Sequence, residues 1–155
     1  AKHLSTTAKQ PHPWRDFHDN KGYNYRLPNI NAALGCAQLE QLPDFLQNKR
    51  DLSVRYKKEF DNCPGVKFFQ EPAFAKSNYW LNVLLLDEEH SHHLKSTLEL
   101  CNSEGLMIRP AWTLLNKFPM FESCPQAKLP VAESLVRRIL NIPSSAVLGA
   151  SNAQA

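Results

Sequence analysis

Residues 79–86 read Tyr-Trp-Leu-Asn-Val-Leu-Leu-Leu, and this nearly continuous aromatic and branched apolar run predicts a buried β-strand. Upstream, the breaker Cys63-Pro64-Gly65 precedes a shorter strand candidate, Val66 to Phe69. Downstream, Ser91 is a plausible N-cap for a helix to Asn102, with Gly105 as the stop. Leu106, Met107 and Ile108 suggest a strand leading into Arg109-Pro110. A short helix over Leu114–Lys117 and another over Pro130–Leu140 complete this half. On the N-terminal side, Asn29 or Asn31 can cap a helix through Ala32, Ala33, Leu34, Ala37, Leu39 and Leu42. Pro43 interrupts that pattern and suits the first turn of a second helix, Asp44 to Phe60. The order helix, helix, strand, strand, helix, strand, helix is most economically satisfied by an α+β layer, antiparallel strands with helices on one face. The expected organisation is a single domain over 1–149, with loop and helices in 1–62, the α+β part in 63–149, and a frayed tail at 150–155.

Composition narrows the function classes. The chain has 155 residues, 43% hydrophobic and 21% charged, with a net charge of +3, which suits one ordinary globular domain. So mild a surplus argues against a nucleic-acid partner. The pairs Lys49 and Arg50, Lys57 and Lys58, and Arg137 and Arg138 read as solvated helix faces. The longest apolar run, Val83 to Leu86, is far below the roughly 20 residues of a membrane span. Four dispersed cysteines without a CxxC pair read as reduced thiols in a cytoplasmic protein. His90, His92 and His93 read as a solvated helix start, with no metal assigned. The absence of an initial Met leads to the expectation of a trimmed start.

Four segments carry more information than a generic core. They are His3–Lys9; the run from His18 through Gly22-Tyr23-Asn24-Tyr25-Arg26 and Asn31-Ala32-Ala33 to Gln38-Leu39; Ser77-Asn78-Tyr79-Trp80; and Arg109-Pro110-Ala111-Trp112 continuing to Phe118-Pro119-Met120-Phe121. In this order and spacing the chain resembles the DegT/DnrJ/EryC1/StrS family of pyridoxal-phosphate-dependent aminotransferases. The likeness is to the branch that aminates 4-keto-6-deoxy nucleotide sugars for surface polysaccharides, and it covers Ala1 to about Gly149. It implies the small C-terminal domain of a fold-type I aminotransferase, with a long interdomain helix.

The same resemblance marks what is missing. That chemistry needs a lysine holding the cofactor as an imine and a carboxylate against the pyridine nitrogen. Neither the family's lysine setting nor its carboxylate segment is matched, and Lys2, Lys9 and Lys21 would all lie after the catalytic lysine. No catalytic residue is therefore assigned, and the isolated chain is expected to bind no cofactor covalently. Accessory residues do carry over. The resemblance implies that Asn24 reaches a cofactor phosphate across a dimer, with Arg26 close by. The competing reading has Asn24 satisfying its own loop and Arg26 paired with Asp19. Arg109, Trp112 and Asn116 fall on the family's loop beside the sugar nucleotide and are the substrate-binding candidates. Asn116 stands where many members place a histidine, which puts proton relay there in doubt. Trp80 reads as core. Two accounts stay open: a C-terminal fragment of a sugar aminotransferase using glutamate as amino donor, or a stand-alone dimeric binding module derived from one. Both imply a homodimer.

Overall fold

The computed structural model describes residues 1–150, in two compact units, Ala1–Leu42 and Pro43 onward. Helix α1 spans Asn29–Phe60, so its residues belong to both. The expectation of two helices gives way to one. Pro43 sits inside α1, costing one N–H of the ladder, and the helical pattern on both sides carries the chain through it.

The second unit is a four-stranded sheet with helices. Its elements are β1 (Val66–Phe68), β2 (Asn82–Leu86), α2 (Leu94–Ser103), β3 (Arg109–Pro110), α3 (Pro130–Val136) and β4 (Ile139–Ile142). Strand order is β1-β2-β4-β3, every pairing antiparallel, with Leu84 opposite Leu140 and Arg109 opposite Asn141. Along β2 burial alternates, and Asn82, Leu84 and Leu86 point to the covered face. Leu84, Leu86, Ile108, Leu140 and Ile142 form the core, covered by Tyr56 and Phe60 of α1 and by Leu94, Leu98 and Cys101 of α2. The α+β expectation, helices over an antiparallel sheet, is the observed fold.

Three boundaries differ for local reasons. Ile139 and Leu140, read as a helix end, belong to β4, the strand between β2 and β3, because α3 closes at Arg137 and the apolar run that follows pairs with β2. Tyr79–Leu81 lies outside β2, since Tyr79 takes a left-handed φ of 45° that a strand cannot accommodate. Ser91 is no N-cap: a 3₁₀ stretch over Glu88–His93 precedes α2, whose N-cap is His93. The tail expected to fray lies, beyond Ala150, outside the described residues.

The segment after β4 is tied to α1 within the second unit. Tyr56 donates its hydroxyl to the Pro143 carbonyl at 3.0 Å, Lys49 to the Ser144 carbonyl and Arg55 to the Leu148 carbonyl. Burial holds the Tyr56 phenol above its ordinary pKa and the Lys49 amine below its own. Among the described residues, no helix is long and apolar enough to cross a membrane.

Candidate functional site

In the first unit the segment 3–10 lies between two flanking strips of chain. On one side, Tyr23 N–H donates to Leu4 O (2.8 Å), Thr7 N–H to Tyr23 O (3.1 Å) and Tyr25 N–H to Ser5 O (3.1 Å). On the other, Gln10 N–H donates to Phe17 O (2.8 Å) and Asp19 N–H to Ala8 O (3.2 Å). Thr7 and Ala8 take left-handed φ values of 66° and 52°, and Ala8 is fully buried. Gly22 packs on their backbone so closely that a Cβ there would collide with Thr7 and Ala8. Left-handed φ at two non-glycine residues is costly and persists only where surrounding contacts enforce it.

These contacts shape an open cavity of about 470 Å³, whose lining includes Thr6, Thr7, Lys9, His12, Asn24 and Arg26. Among the described residues its walls carry hydroxyl, amide, imidazole, amine and guanidinium groups and no carboxylate. Asn24 Oδ1 accepts the Arg26 N–H at 3.3 Å, so the carbonyl end of this amide serves its own loop. Arg26 is not paired with Asp19. That carboxylate takes His3 Nε2 at 2.5 Å and Gln10 Nε2, and its pKa is lowered, chiefly by the His3 contact. Lys9 pairs with the exposed Asp16, whose carboxyl it likewise lowers. A guanidinium free of carboxylate partners among the described residues, beside hydroxyls and an amide, suits an oxyanion such as a phosphate.

The second group of candidates belongs to the other unit and does not converge on one cavity. Arg109 lies on β3, exposed, in a two-residue strand that Asn141 fastens by donating Nδ2 to the carbonyls of Arg109 (3.3 Å) and Pro110 (3.0 Å). Trp112 stacks on Trp80, ring centres 6.0 Å apart and planes 23° from parallel. Trp80 is 67% exposed, so its reading as core is corrected: it stands on the surface with Trp112. Asn116 lines a mostly apolar cavity of about 410 Å³ with Leu114, Phe121 and Leu129. Its Oδ1 is buried and without a partner among the described residues, and its Nδ2 reaches Gln126 Oε1 only at 3.5 Å.

Sequence reasoning missed three things. Lys9 and His12 share the cavity of Asn24 and Arg26, a contact that depends on the left-handed turn at Thr7–Ala8. Lys49 and Arg50 are not a solvated face: Lys49 reaches carbonyls, and Arg50 pairs with Glu71. Tyr79 and Trp80, read as the start of a strand, belong to a bonded turn from Ser77, with Ser77 Oγ accepting the Tyr79 N–H at 2.9 Å.

The model of the DegT/DnrJ/EryC1/StrS aminotransferase family matches residues 2–155. EpsN of Bacillus subtilis (strain 168), described as a pyridoxal phosphate-dependent aminotransferase, is 33% identical over 148 residues, covering 93% of this chain and 37% of that protein. GDP-perosamine synthase of Escherichia coli O157:H7 is 36% identical over 129 residues, 83% of this chain and 34% of the enzyme. PseC of Helicobacter pylori, an aminotransferase involved in the biosynthesis of pseudoaminic acid, overlays with a TM-score of 0.80 at 20% identity. That overlay covers 94% of this chain and 40% of the PseC chain, and the likeness is one of fold. The chain thus spans little more than a third of the length of the relatives it matches.

Proposed function

Because the chain belongs to the DegT/DnrJ/EryC1/StrS aminotransferase family, we propose that it is the C-terminal part of an enzyme that moves an amino group from glutamate to a 4-keto-6-deoxy nucleotide sugar for surface polysaccharide. Its share of the chemistry is to bind and orient an anionic group. The observation that carries this reading is that Asn24 and Arg26 line one cavity together with Lys9, Thr6 and Thr7, with no carboxylate in its wall among the described residues. The pair formed by the Arg26 guanidinium and the Asn24 amide fits the phosphate of pyridoxal phosphate. It does not supply what the cofactor ring needs, a lysine in the family's setting and a carboxylate for the ring nitrogen. Pyridoxal phosphate, when bound, supplies the electron sink for amino transfer.

Within that division of labour, Arg26 provides a fixed positive charge and planar donors for phosphate oxygens. Asn24 offers its Nδ2 while its Oδ1 holds the loop. Thr6 and Thr7 hydroxyls already donate to carbonyls, Thr6 to Lys2 O at 3.0 Å and Thr7 to Thr6 O at 2.6 Å, so they define the wall rather than grip an anion. In the second unit, Trp112, Arg109 and Asn116 would meet the sugar nucleotide. Asn116 can offer or accept a hydrogen bond there without moving a proton. The isolated chain would then bind without turning over.

The same reading takes the chain to be a homodimer in the cytoplasm. Ile30, Leu34 and Leu39 on the first half of α1 are 77%, 62% and 65% exposed, and small residues around them permit close approach of a second backbone. Four free cysteines suit a reducing compartment.

The test is equilibrium binding of pyridoxal phosphate with inorganic phosphate as competitor. Losing charge-assisted bonds to a phosphate should weaken binding by roughly tenfold to a hundredfold in Arg26→Ala, and by less in Asn24→Ala. An Arg26→Ala chain that binds like the unsubstituted one would overturn the assignment.

A further inference from the structure

The connection between β1 and β2, residues 69–81, carries no helix or strand, and connections of this length in compact units are commonly functional. One ion pair holds its far end. From α1, Arg50 Nη1 donates to the Ser77 carbonyl at 2.6 Å and to Glu71 Oε2 at 3.4 Å, while Nη2 donates to Glu71 Oε1. Glu71 also accepts the Ser77 N–H, so the two side chains grip both backbone polar groups of one residue. The Arg50 guanidinium lies 5.6 Å from the centre of the Tyr79 ring. Beyond Ser77 the turn is fixed by its own side chains, with Trp80 N–H donated to Asn78 Oδ1 at 3.0 Å.

The product of this arrangement is a pair of stacked indoles on the surface. Trp80 and Trp112 are 67% and 69% exposed, so burial does little to hold them together. Their backbones must do it. Trp112 follows β3, which Asn141 fastens to β4. Trp80 follows the gripped residue Ser77 by three positions. We infer that Arg50 and Glu71 form a latch whose role is to position Trp80 against Trp112, making both of them positioning residues for a paired-indole surface. Trp112 is a substrate candidate in the reading above, but the latch stands without it and its test uses no ligand.

Besides Arg50, the groups facing Glu71 are Lys76 and, across the guanidinium, Tyr79; neither is a carboxylate. Arg50, and after it the Ser77 amide, hold the Glu71 carboxyl below its ordinary value of 4.5. A carboxylate lowered in the folded state keeps its partner while pH stays above that ordinary value. It releases the partner only as pH falls through the lower folded value. The latch is therefore closed at neutral pH and opens in acid.

The experiment is circular dichroism of the coupled indoles in a Trp14→Phe background, where Trp80 and Trp112 are the two tryptophans left. Trp112→Phe in that background supplies the uncoupled baseline. Glu71→Gln and Arg50→Lys each remove the forked, charged geometry and should reduce the exciton couplet roughly twofold or more while the helix signal is retained. A couplet unchanged in both would overturn the proposal. If either variant fails to fold, hydrogen exchange on the unsubstituted chain gives the answer: the Ser77 amide should be slowed about tenfold or more by its bond to a charged acceptor. Exchange of that amide at the rate of a free peptide would equally overturn it.

Discussion

Gly22→Ala is expected to disable the anion cavity and destabilise the first unit together. A Cβ at this position would run into backbone carbon and nitrogen of Thr7 and Ala8, which cannot swing aside as a side chain can. Thr7 and Ala8 are already held at left-handed φ and carry bonds on both sides, from Thr7 N–H to Tyr23 and from Asp19 N–H to Ala8. Moving them displaces the wall formed by Thr6, Thr7 and Lys9. Overpacking of this kind costs roughly 1–3 kcal/mol, and phosphate affinity should fall about tenfold or more as the donors lose their placement. Gly35→Ala is the control. A Cβ there meets nothing within 4 Å, and in the second turn of α1 alanine should stabilise by about 0.5–1 kcal/mol. Melting temperature and pyridoxal phosphate binding, measured on both variants, check the contrast. Equal behaviour of the two would mean that the packing of Gly22 is unimportant.

Leu140→Ala should give the largest loss of stability in the second unit. Leu140 is 3% exposed on β4, opposite Leu84 on one side and Pro110 on the other. Removing a buried leucine costs about 2–5 kcal/mol, depending on how far the site collapses. For a chain of this size that corresponds to a fall of roughly 5–15 °C in melting temperature. Because β4 joins β2 to β3, the same change should loosen Arg109 and the loop that carries Trp112. Val131→Ala is the comparison: at 69% exposed on α3 it should move stability within about 0.5 kcal/mol. A Leu140→Ala protein as stable as Val131→Ala would contradict the placement of β4 in the core.

The sequence disclosed the fold class well and some of its boundaries poorly. Strand β2 was legible from Val83-Leu84-Leu85-Leu86, because a dense apolar run behind Tyr79 and Trp80 that ends at Asp87 is too short for a buried helix and suits a strand. Strand β4 was hidden, since Ile139-Leu140-Asn141-Ile142 continues the apolar pattern of α3 without a visible stop. The helix closes at Arg137, and the next residue, Arg138, donates to the Leu86 carbonyl at 3.1 Å, a contact set by β2 rather than by local propensity. Pro43 was read as a boundary by its strongest local tendency, and the long helix on either side overrode it.

The candidate site divided in the same way. Asn24 and Arg26 stand two residues apart in a motif that names them directly, and they do share a cavity. Lys9 and His12 join them only through two left-handed residues that nothing in Thr7-Ala8 announces. Arg50 looked like one more solvated cation on a helix face. Its role comes from Glu71 and Ser77, 21 and 27 residues away, and separations of that kind carry no periodic signal.

The central claim is that this chain holds an anionic cofactor group without holding the cofactor covalently. Borohydride reduction of the chain saturated with pyridoxal phosphate, followed by mass analysis of its peptides, tests it most directly. The account predicts binding that inorganic phosphate displaces and no single lysine carrying a stoichiometric label. One lysine labelled to completion, Lys9 above all, would contradict it and place the catalytic amine within this chain.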